Sequence, residues 1–378
     1  MKRITGEYEK LGTLDYFIPY PLPPQNPNFE LSGDLALLYG KAMQRLGQLN
    51  EMALRIPNAQ RFLKAYILKE ALLSSAIEGI HTTLIEAFTS HLTQQKPSKD
   101  TQLVLNYTKA LDVALTLIQK ENLPIISRVF LAAHKALMQN GEGDKADPGN
   151  YRKQSVRVGQ LVPPPAHKVP QLIAELEQFI NTHESLPPLI KAGLAHVQFE
   201  TIHPFIDGNG RIGRLLIVLM LVDSALITTP ILYPSYYFKK NHLEYYQRLD
   251  GVRLHGDFEG WISFYLRGIE ASSFDAYQRA IDIEKLEQQL MLLIQNHKAF
   301  SKKQEDAEKA LAILFQFPII GIQTLADNLG KSYNTASLLI KEFITLNILE
   351  EPEQQKRNKL FSFNAYLELL EKEYPQEV

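Results

Sequence analysis

The chain has 378 residues, 45% of them hydrophobic, enough apolar sequence for two or three packed units and too much for a disordered tail protein. Its 40 Lys and Arg residues against 42 Asp and Glu leave a formal charge of −2, which excludes a protein that holds nucleic acid by blanket phosphate neutralisation. There is no cysteine, so disulfides, thiolate metal sites, iron–sulfur clusters and a cysteine nucleophile are excluded as well.

Residues 1–7 are charged and lead into Pro-rich sequence without the apolar stretch of a signal peptide. The longest apolar run, 215–222, stops at Asp223, well short of the roughly 18 residues that a membrane span needs. A soluble cytoplasmic protein with no membrane partner is expected. Residues 16–33, from Tyr16 through Pro19, Pro21, Pro23 and Pro24 to Gly33, read as an extended arm, because each proline fixes its own φ and disfavours helix at the residue before it. The folded body is expected to begin after that arm. From Asp34 to Ser90 apolar residues recur at spacings of three and four (Leu35, Leu38, Met43, Leu46, Leu49, then Phe62, Tyr66, Leu73, Ile77), which predicts two or three amphipathic helices. Further helices are predicted over about 100–120 and over 126–138, the second followed by the turn-forming Asn140-Gly141-Glu142-Gly143-Asp144.

Between Tyr151 and Leu161 the texture changes: Ser155, Val156, Arg157 and Val158 lead into Gly159-Gln160, which predicts a short β-ribbon. Helical pattern returns over 169–183, 187–200 and after 210. The charged 274–297 segment, with Ile283, Leu286, Leu290 and Leu293 at heptad-like spacing, reads as a connecting helix. The last seventy or so residues form a separate unit in the order helix (311–317), helix (324–329), turn (Gly330-Lys331-Ser332), helix (333–346), then a polar 350–359 stretch into Leu360-Phe361-Ser362-Phe363. That order is similar to a winged helix-turn-helix module. The fold class expected is mainly α, with a short β-hairpin and a C-terminal α+β unit.

One stretch carries chemistry: His203-Pro204-Phe205-Ile206-Asp207-Gly208-Asn209-Gly210-Arg211-Ile212-Gly213-Arg214, entered from a helix and followed by the apolar run. Gly208 and Gly210 remove side chains where the backbone enters a helix, leaving N–H groups free to converge on an anion. Arg211 and Arg214 lie three apart on the first helical turn, so both can face one phosphate chain. A carboxylate at Asp207 beside such a cradle would repel phosphate unless a cation sits between them, which implies Mg²⁺. His203 is the nearby group that can act as a neutral base at pH 7, so the inferred reaction is attack of a hydroxyl on a phosphate. His196, at the spacing of the buried residues of the preceding helix, is read as structural, and a Gly-Asn-Gly turn alone merely ends or starts a helix.

The same twelve residues match, at every fixed position, the motif His-x-Phe-x-Asp/Glu-Gly-Asn-Gly-Arg-x-x-Arg of the Fic family, and the chain is similar to that family also over 148–152, 162–165 with 169–170, and 194–202. The resemblance implies a mostly helical fold and an enzyme that transfers AMP from ATP to a Ser, Thr or Tyr hydroxyl of a target protein, releasing pyrophosphate. By position it makes His203 the base and Asp207 the Mg²⁺ ligand. Gly208, Asn209 and Gly210 become the anion hole, with Arg211 on the phosphates, Arg214 on the γ-phosphate, and Ile212 and Gly213 between them. The ribbon with Val156, Val158 and Gly159 corresponds to a flap that holds the target as an added strand. Upstream, Ser74-Ser75-Ala76-Ile77-Glu78-Gly79 matches the family's inhibitory motif, Ser/Thr-x-x-x-Glu-Gly/Asn. Gly79 ends an amphipathic helix and so presents the Glu78 carboxylate at a fixed place. Beside Arg214 that carboxylate would withhold the arginine from the γ-phosphate; the plainer reading is a surface glutamate before a helix end. The resemblance also implies a nucleoside wall over 233–246, including Lys240 and Tyr245, although aromatics at this helical spacing serve equally as core.

The expected units are 1–110 (helical, with the inhibitory helix), 111–273 (catalytic core), 274–308 (connecting helix) and 309–378 (winged helix). Between Ile319 and Leu360 five Lys and Arg residues balance five Asp and Glu, and only the tip Lys356-Arg357-Asn358-Lys359 is basic. DNA is therefore the weaker expectation for this unit, and protein contact or homodimer formation the stronger. The competing functions are a DNA-binding regulator that senses nucleotide, removal of AMP, and transfer of another phosphate-containing group.

Overall fold

The structure, a computed structural model, describes residues 3–55, 60–90, 92, 96–139, 146–182, 186–351 and 359–375. It begins with a β-hairpin, β1 (Gly6–Leu11) and β2 (Leu14–Pro19), antiparallel in the register Gly6↔Pro19. Tyr16, Phe17 and Ile18 are buried, and the Phe17 N–H donates to the Val162 carbonyl at 2.9 Å. This corrects the extended arm. The prolines confine the chain only after Pro19, while the preceding residues pair across the Gly12 turn and dock on the body.

Among the described residues eleven α-helices follow in the N-terminal and central body. They are α1 (Gly33–Arg55), α2 (Gln60–Ile77), α3 (Leu84–Thr89), α4 (Lys99–Leu115), α5 (Ser127–Leu137), α6 (Val169–Asn181), α7 (Pro188–Ile202), α8 (Asn209–Asp223), α9 (Ser235–Lys240), α10 (His242–His255) and α11 (Phe258–Asn296). The predicted turn at 140–144 and the predicted end of α6 at His183 lie outside the described residues. Two helices form the centre. Residues 189–202 of α7 and 211–222 of α8 are buried on every face, as their lack of a polar stripe requires. α1 lies along α11, and α2 packs on α4, α8 and α9. α11 runs unbroken for 39 residues, so the boundary expected at 273/274 falls inside one helix.

The C-terminal unit comprises α12 (Gln304–Gln316), β3 (Ile319–Gly321), α13 (Ile322–Leu329), α14 (Tyr333–Thr345), β4 (Leu360–Ser362) and α15 (Asn364–Glu371), the last not anticipated. β3 and β4 pair antiparallel with Ile320 opposite Phe361, and Glu350 bridges to Ser362. Of the basic tip, Lys356, Arg357 and Asn358 lie outside the described residues. The unit is joined to the body through α2, α3 and α11.

Candidate active site

Residues 203–208 link α7 to α8. His203 ends α7 in the left-handed region (φ 51°, ψ 62°), and this reversal of the backbone turns the chain under the head of α8. The underside of the loop is closely held. Arg152, 2% exposed, donates from Nε to the His203 carbonyl (2.8 Å), from Nη1 to Gln154 (3.1 Å) and from Nη2 to Pro164 (2.6 Å) and Ile202 (3.3 Å). The Asn209 amide closes the turn from the other end: Oδ1 accepts the Phe205 N–H at 2.8 Å, and Nδ2 donates to the Phe205 carbonyl at 2.9 Å. His134 is buried beneath, stacked 3.8 Å from the Phe205 ring. Its Nδ1 accepts the Gly149 N–H (3.0 Å), which leaves Nε2–H to donate to the Asp207 carbonyl (3.1 Å). Burial pushes its pKa down to about 4, so the ring is neutral at pH 7.

The mouth above the loop is different. Gly208, in the left-handed region at φ 81°, caps α8, and its N–H is taken by Asp207 Oδ1 at 2.6 Å. The first-turn N–H groups of α8 have no carbonyl one turn back to accept them. Arg211 is 2% exposed. Its Nη2 lies 3.7 Å from Asp207 Oδ2, but Nε and Nη1 are buried with no hydrogen-bond partner among the described residues. Two unmet charged donors beside a helix N-terminus make an anion site. Arg214, 1% exposed, is by contrast held by α2 and the residue that follows it: Nε donates to Ser74 Oγ (2.9 Å), and Nη2 to the Ser74 carbonyl (2.9 Å) and Glu78 Oε1 (2.7 Å).

Glu78 therefore sits over the anion site. Gly79, at φ 77°, ends the turn after α2, and the carboxylate rests so close to Gly210 that a Cβ there would overlap Oε1. Burial works to raise the Glu78 pKa, but the charge and hydrogen bond of Arg214, helped by Arg211, hold it below the usual carboxylate range. The same pairing outweighs burial at Arg214 and holds its pKa above the ordinary value.

His203 is partly buried, and its Nδ1 lies 3.4 Å from the Glu200 carbonyl, so Nδ1–H donates and Nε2 keeps its lone pair. Burial first, then the Arg253 charge, pushes its pKa down to about 4. The Asp207 carboxylate is 65% exposed and keeps lone pairs free. Among the described residues no three His, Asp or Glu side chains converge as a metal cage. The donors here fit a hard cation that takes one protein carboxylate and completes its shell from phosphate and water, as Mg²⁺ does.

Several expected side chains lie elsewhere. Ile212 is buried in the helix interface, and Gly213 faces Glu200 and His196, so neither offers a side chain to the mouth. The Asn209 side chain is consumed by the loop, leaving its backbone N–H as its contribution. Tyr245 is 1% exposed: its hydroxyl donates to His196 Nε2 (2.8 Å), and its ring stacks 5.0 Å from Phe238, so it is core and not an open wall. His196 in turn donates from Nδ1 to the Gly213 carbonyl, the structural role expected of it. The neighbouring Tyr246 is the half-exposed ring on this side, close enough to Glu78 and Arg214 for their charges to act on its hydroxyl. Lys240 lies over the Tyr236 ring and 3.7 Å from Glu373, turned toward the C-terminal segment. The expected ribbon is reduced to one bridge, Val158↔Leu161, around Gly159 at φ 57°; Val156 and Val158 are half-buried. Its alternation mimics a strand, but β2 already takes up the neighbouring Val162 carbonyl.

Parts of the chain match known proteins. Residues 124–221 match the model of the Fic/DOC family, and residues 36–116 match that of the Fic/DOC family N-terminal region. Two stretches of the chain thus match the Fic/DOC family. The first match spans α5 to α8 and so the whole 203–214 motif; the second spans α1 to α4 and so Ser74 and Glu78. The chain is 30% identical over 230 residues to the protein adenylyltransferase Fic of Drosophila grimshawi, covering 57% of this chain and 45% of that protein. It is 28% identical over 244 residues to the protein adenylyltransferase fic-1 of Caenorhabditis elegans, covering 61% and 46%. The chain thus spans less than half the length of these relatives. Among solved structures, a Fic family protein from Desulfovibrio desulfuricans G20 shares the fold with a TM-score of 0.56 at 22% identity, covering 89% of this chain and 97% of that one. Fic-1 (residues 134–508) from C. elegans follows with a TM-score of 0.54 at 22% identity, covering 67% and 74%.

Proposed function

We propose that this chain is a protein adenylyltransferase that moves AMP from ATP to a Ser, Thr or Tyr hydroxyl of a target protein. The observation that carries this reading is Arg211, buried with two unmatched donors at the head of α8 beside a neutral His203. The β- and γ-phosphates meet Arg211, Arg214 and the first-turn N–H groups. The target oxygen attacks the α-phosphorus, its proton passes to His203 Nε2, and the bond from the α-phosphorus to the bridging oxygen breaks, so that pyrophosphate leaves with the electron pair. Asp207 would hold Mg²⁺, which when bound neutralises phosphate charge. Tyr246 offers a ring face for the adenine.

In this reading Glu78 is a brake: while it holds Arg214, the γ-phosphate has no cation there and the chain binds ATP unproductively. Among the described residues no helix is long and apolar enough to cross a membrane. We read the C-terminal unit as a winged helix used for protein contact, because α14 exposes Tyr333 and Leu338 rather than a row of cations. The deciding experiment supplies ATP labelled at either the α- or the γ-phosphate to a lysate with Mg²⁺. Protein-linked label from the α position alone is expected; label from the γ position alone would overturn adenylyl transfer.

A further inference from the structure

The helix that bears the inhibitory glutamate has two ends, and they touch different parts of the molecule. At its C-terminal end Ser74 and Glu78 hold Arg214. Along its earlier turns several neighbours belong to the C-terminal unit. The Phe62 ring meets the edge of Phe315 in α12 at 5.5 Å, the Lys64 ammonium lies 4.2 Å above the Phe317 ring, and Lys69 Nζ donates to the Leu370 carbonyl of α15 at 2.8 Å. α15 is itself pinned to α11, where Arg279 donates to the carbonyls of Leu369 and Lys372. Between the two ends Glu70, 2% exposed, fastens α2 to the core by accepting from Ser235 Oγ (2.5 Å) and Tyr107 (3.3 Å).

We infer that α2 couples the C-terminal unit to Arg214, so that the unit's seat on Phe62, Lys64 and Lys69 sets how firmly Glu78 occupies the nucleotide site. A straight helix of 18 residues is about 27 Å long and shifts or tilts as one piece, because its backbone hydrogen bonds resist bending. The Glu78–Arg214 contact tolerates little displacement, since the carboxylate is wedged against Gly210. A partner that engages the unit and displaces α12 or α15 therefore releases Arg214, and ATP binding in turn loosens the unit, as reciprocity of linked equilibria requires. The C-terminal unit is thus a control element for the catalytic site as well as a contact surface. This inference rests on the reading of Glu78 as a brake.

The test uses the full chain with Lys69→Met, which removes one hydrogen bond at the α15 contact, and separately Phe315→Leu, which trims the α12 contact. Neither residue approaches the 203–214 loop. Each is expected to raise labelling from ATP labelled at the α-phosphate about fivefold, the factor that the loss of one hydrogen bond or one aromatic pair of ordinary strength corresponds to. In a Glu78→Gly background neither is expected to add anything. Hydrogen exchange at residues 74–79 is expected to accelerate in Lys69→Met, a readout that needs no activity. Labelling that rises in Glu78→Gly but not in either variant, with unchanged exchange, would overturn the coupling and leave the brake standing. A rise of equal size in both backgrounds would also overturn it. Accelerated exchange with no gain in labelling from Glu78→Gly would instead remove the brake itself, and with it this inference.

Discussion

Beneath the 203–208 loop all three guanidinium nitrogens of Arg152 reach backbone carbonyls, whereas above it Arg211, equally buried, keeps Nε and Nη1 without a partner among the described residues. The floor is satisfied and the mouth is not. A buried cation with its donors met is a structural part; one with donors unmet stores a demand that an incoming anion answers. Arg214 stands between the two cases, because part of its demand is met by the carboxylate of Glu78, just past the end of α2.

Substitutions break this contrast with graded effects. The largest falls at the mouth: His203→Ala removes the base and is expected to cut α-phosphate labelling about a thousandfold while the melting temperature stays within error. A rate within tenfold of wild type would place the base elsewhere. Next comes the floor, where Arg152→Met strands carbonyls of residues 154, 164, 202 and 203 and is expected to cost about 2–4 kcal/mol of stability. Thermal unfolding measures this, and an unchanged midpoint would show that the floor is dispensable. Glu78→Gly is expected to tighten the binding of a fluorescent ATP analogue about tenfold by freeing Arg214, and equal affinity in titration would remove the claim that Glu78 competes for it.

The smallest effect concerns pH. His203 must be unprotonated to accept a proton, and burial holds its pKa at about 4, so competence exists above that value and is lost as pH falls through it. The single-turnover rate of Glu78→Gly is therefore expected to stay level from pH 8 to about 5 and to halve near 4, where an ordinary histidine would halve near about 6.5. A midpoint at the ordinary value would mean that the ring is open to water in the working state.

Much of the mouth was legible in the sequence because it is local: His203, Asp207, the turn glycines and both arginines lie within twelve residues, and helical geometry alone places them together. The helices were legible for the same reason, through their apolar spacing. The floor was not. Arg152 and His134 act on carbonyls some fifty to seventy positions away, and nothing at their own positions sets a structural cation apart from a surface one. The block 148–152 was visible as a resemblance, yet the part played by Arg152 needed coordinates. Tyr245 and Tyr246 show a second limit: adjacent residues on a helix face opposite environments, and only packing shows which ring is sealed against Phe238. The N-terminal hairpin is not legible because the proline density that follows masks the strand-favouring Tyr16, Phe17 and Ile18.

That hairpin has a practical bearing on how the protein should be handled. Tyr16 bonds Ser155 through their hydroxyls at 2.6 Å, and Phe17 holds the strand-like edge at Val162. A trimmed version starting at Gly33, which the proline pattern invites, would strip the backing from residues 155–162 and uncover the side chains that Phe17 and Ile18 now shield. Binding data gathered on such a fragment would describe a molecule whose 155–162 segment has lost its support.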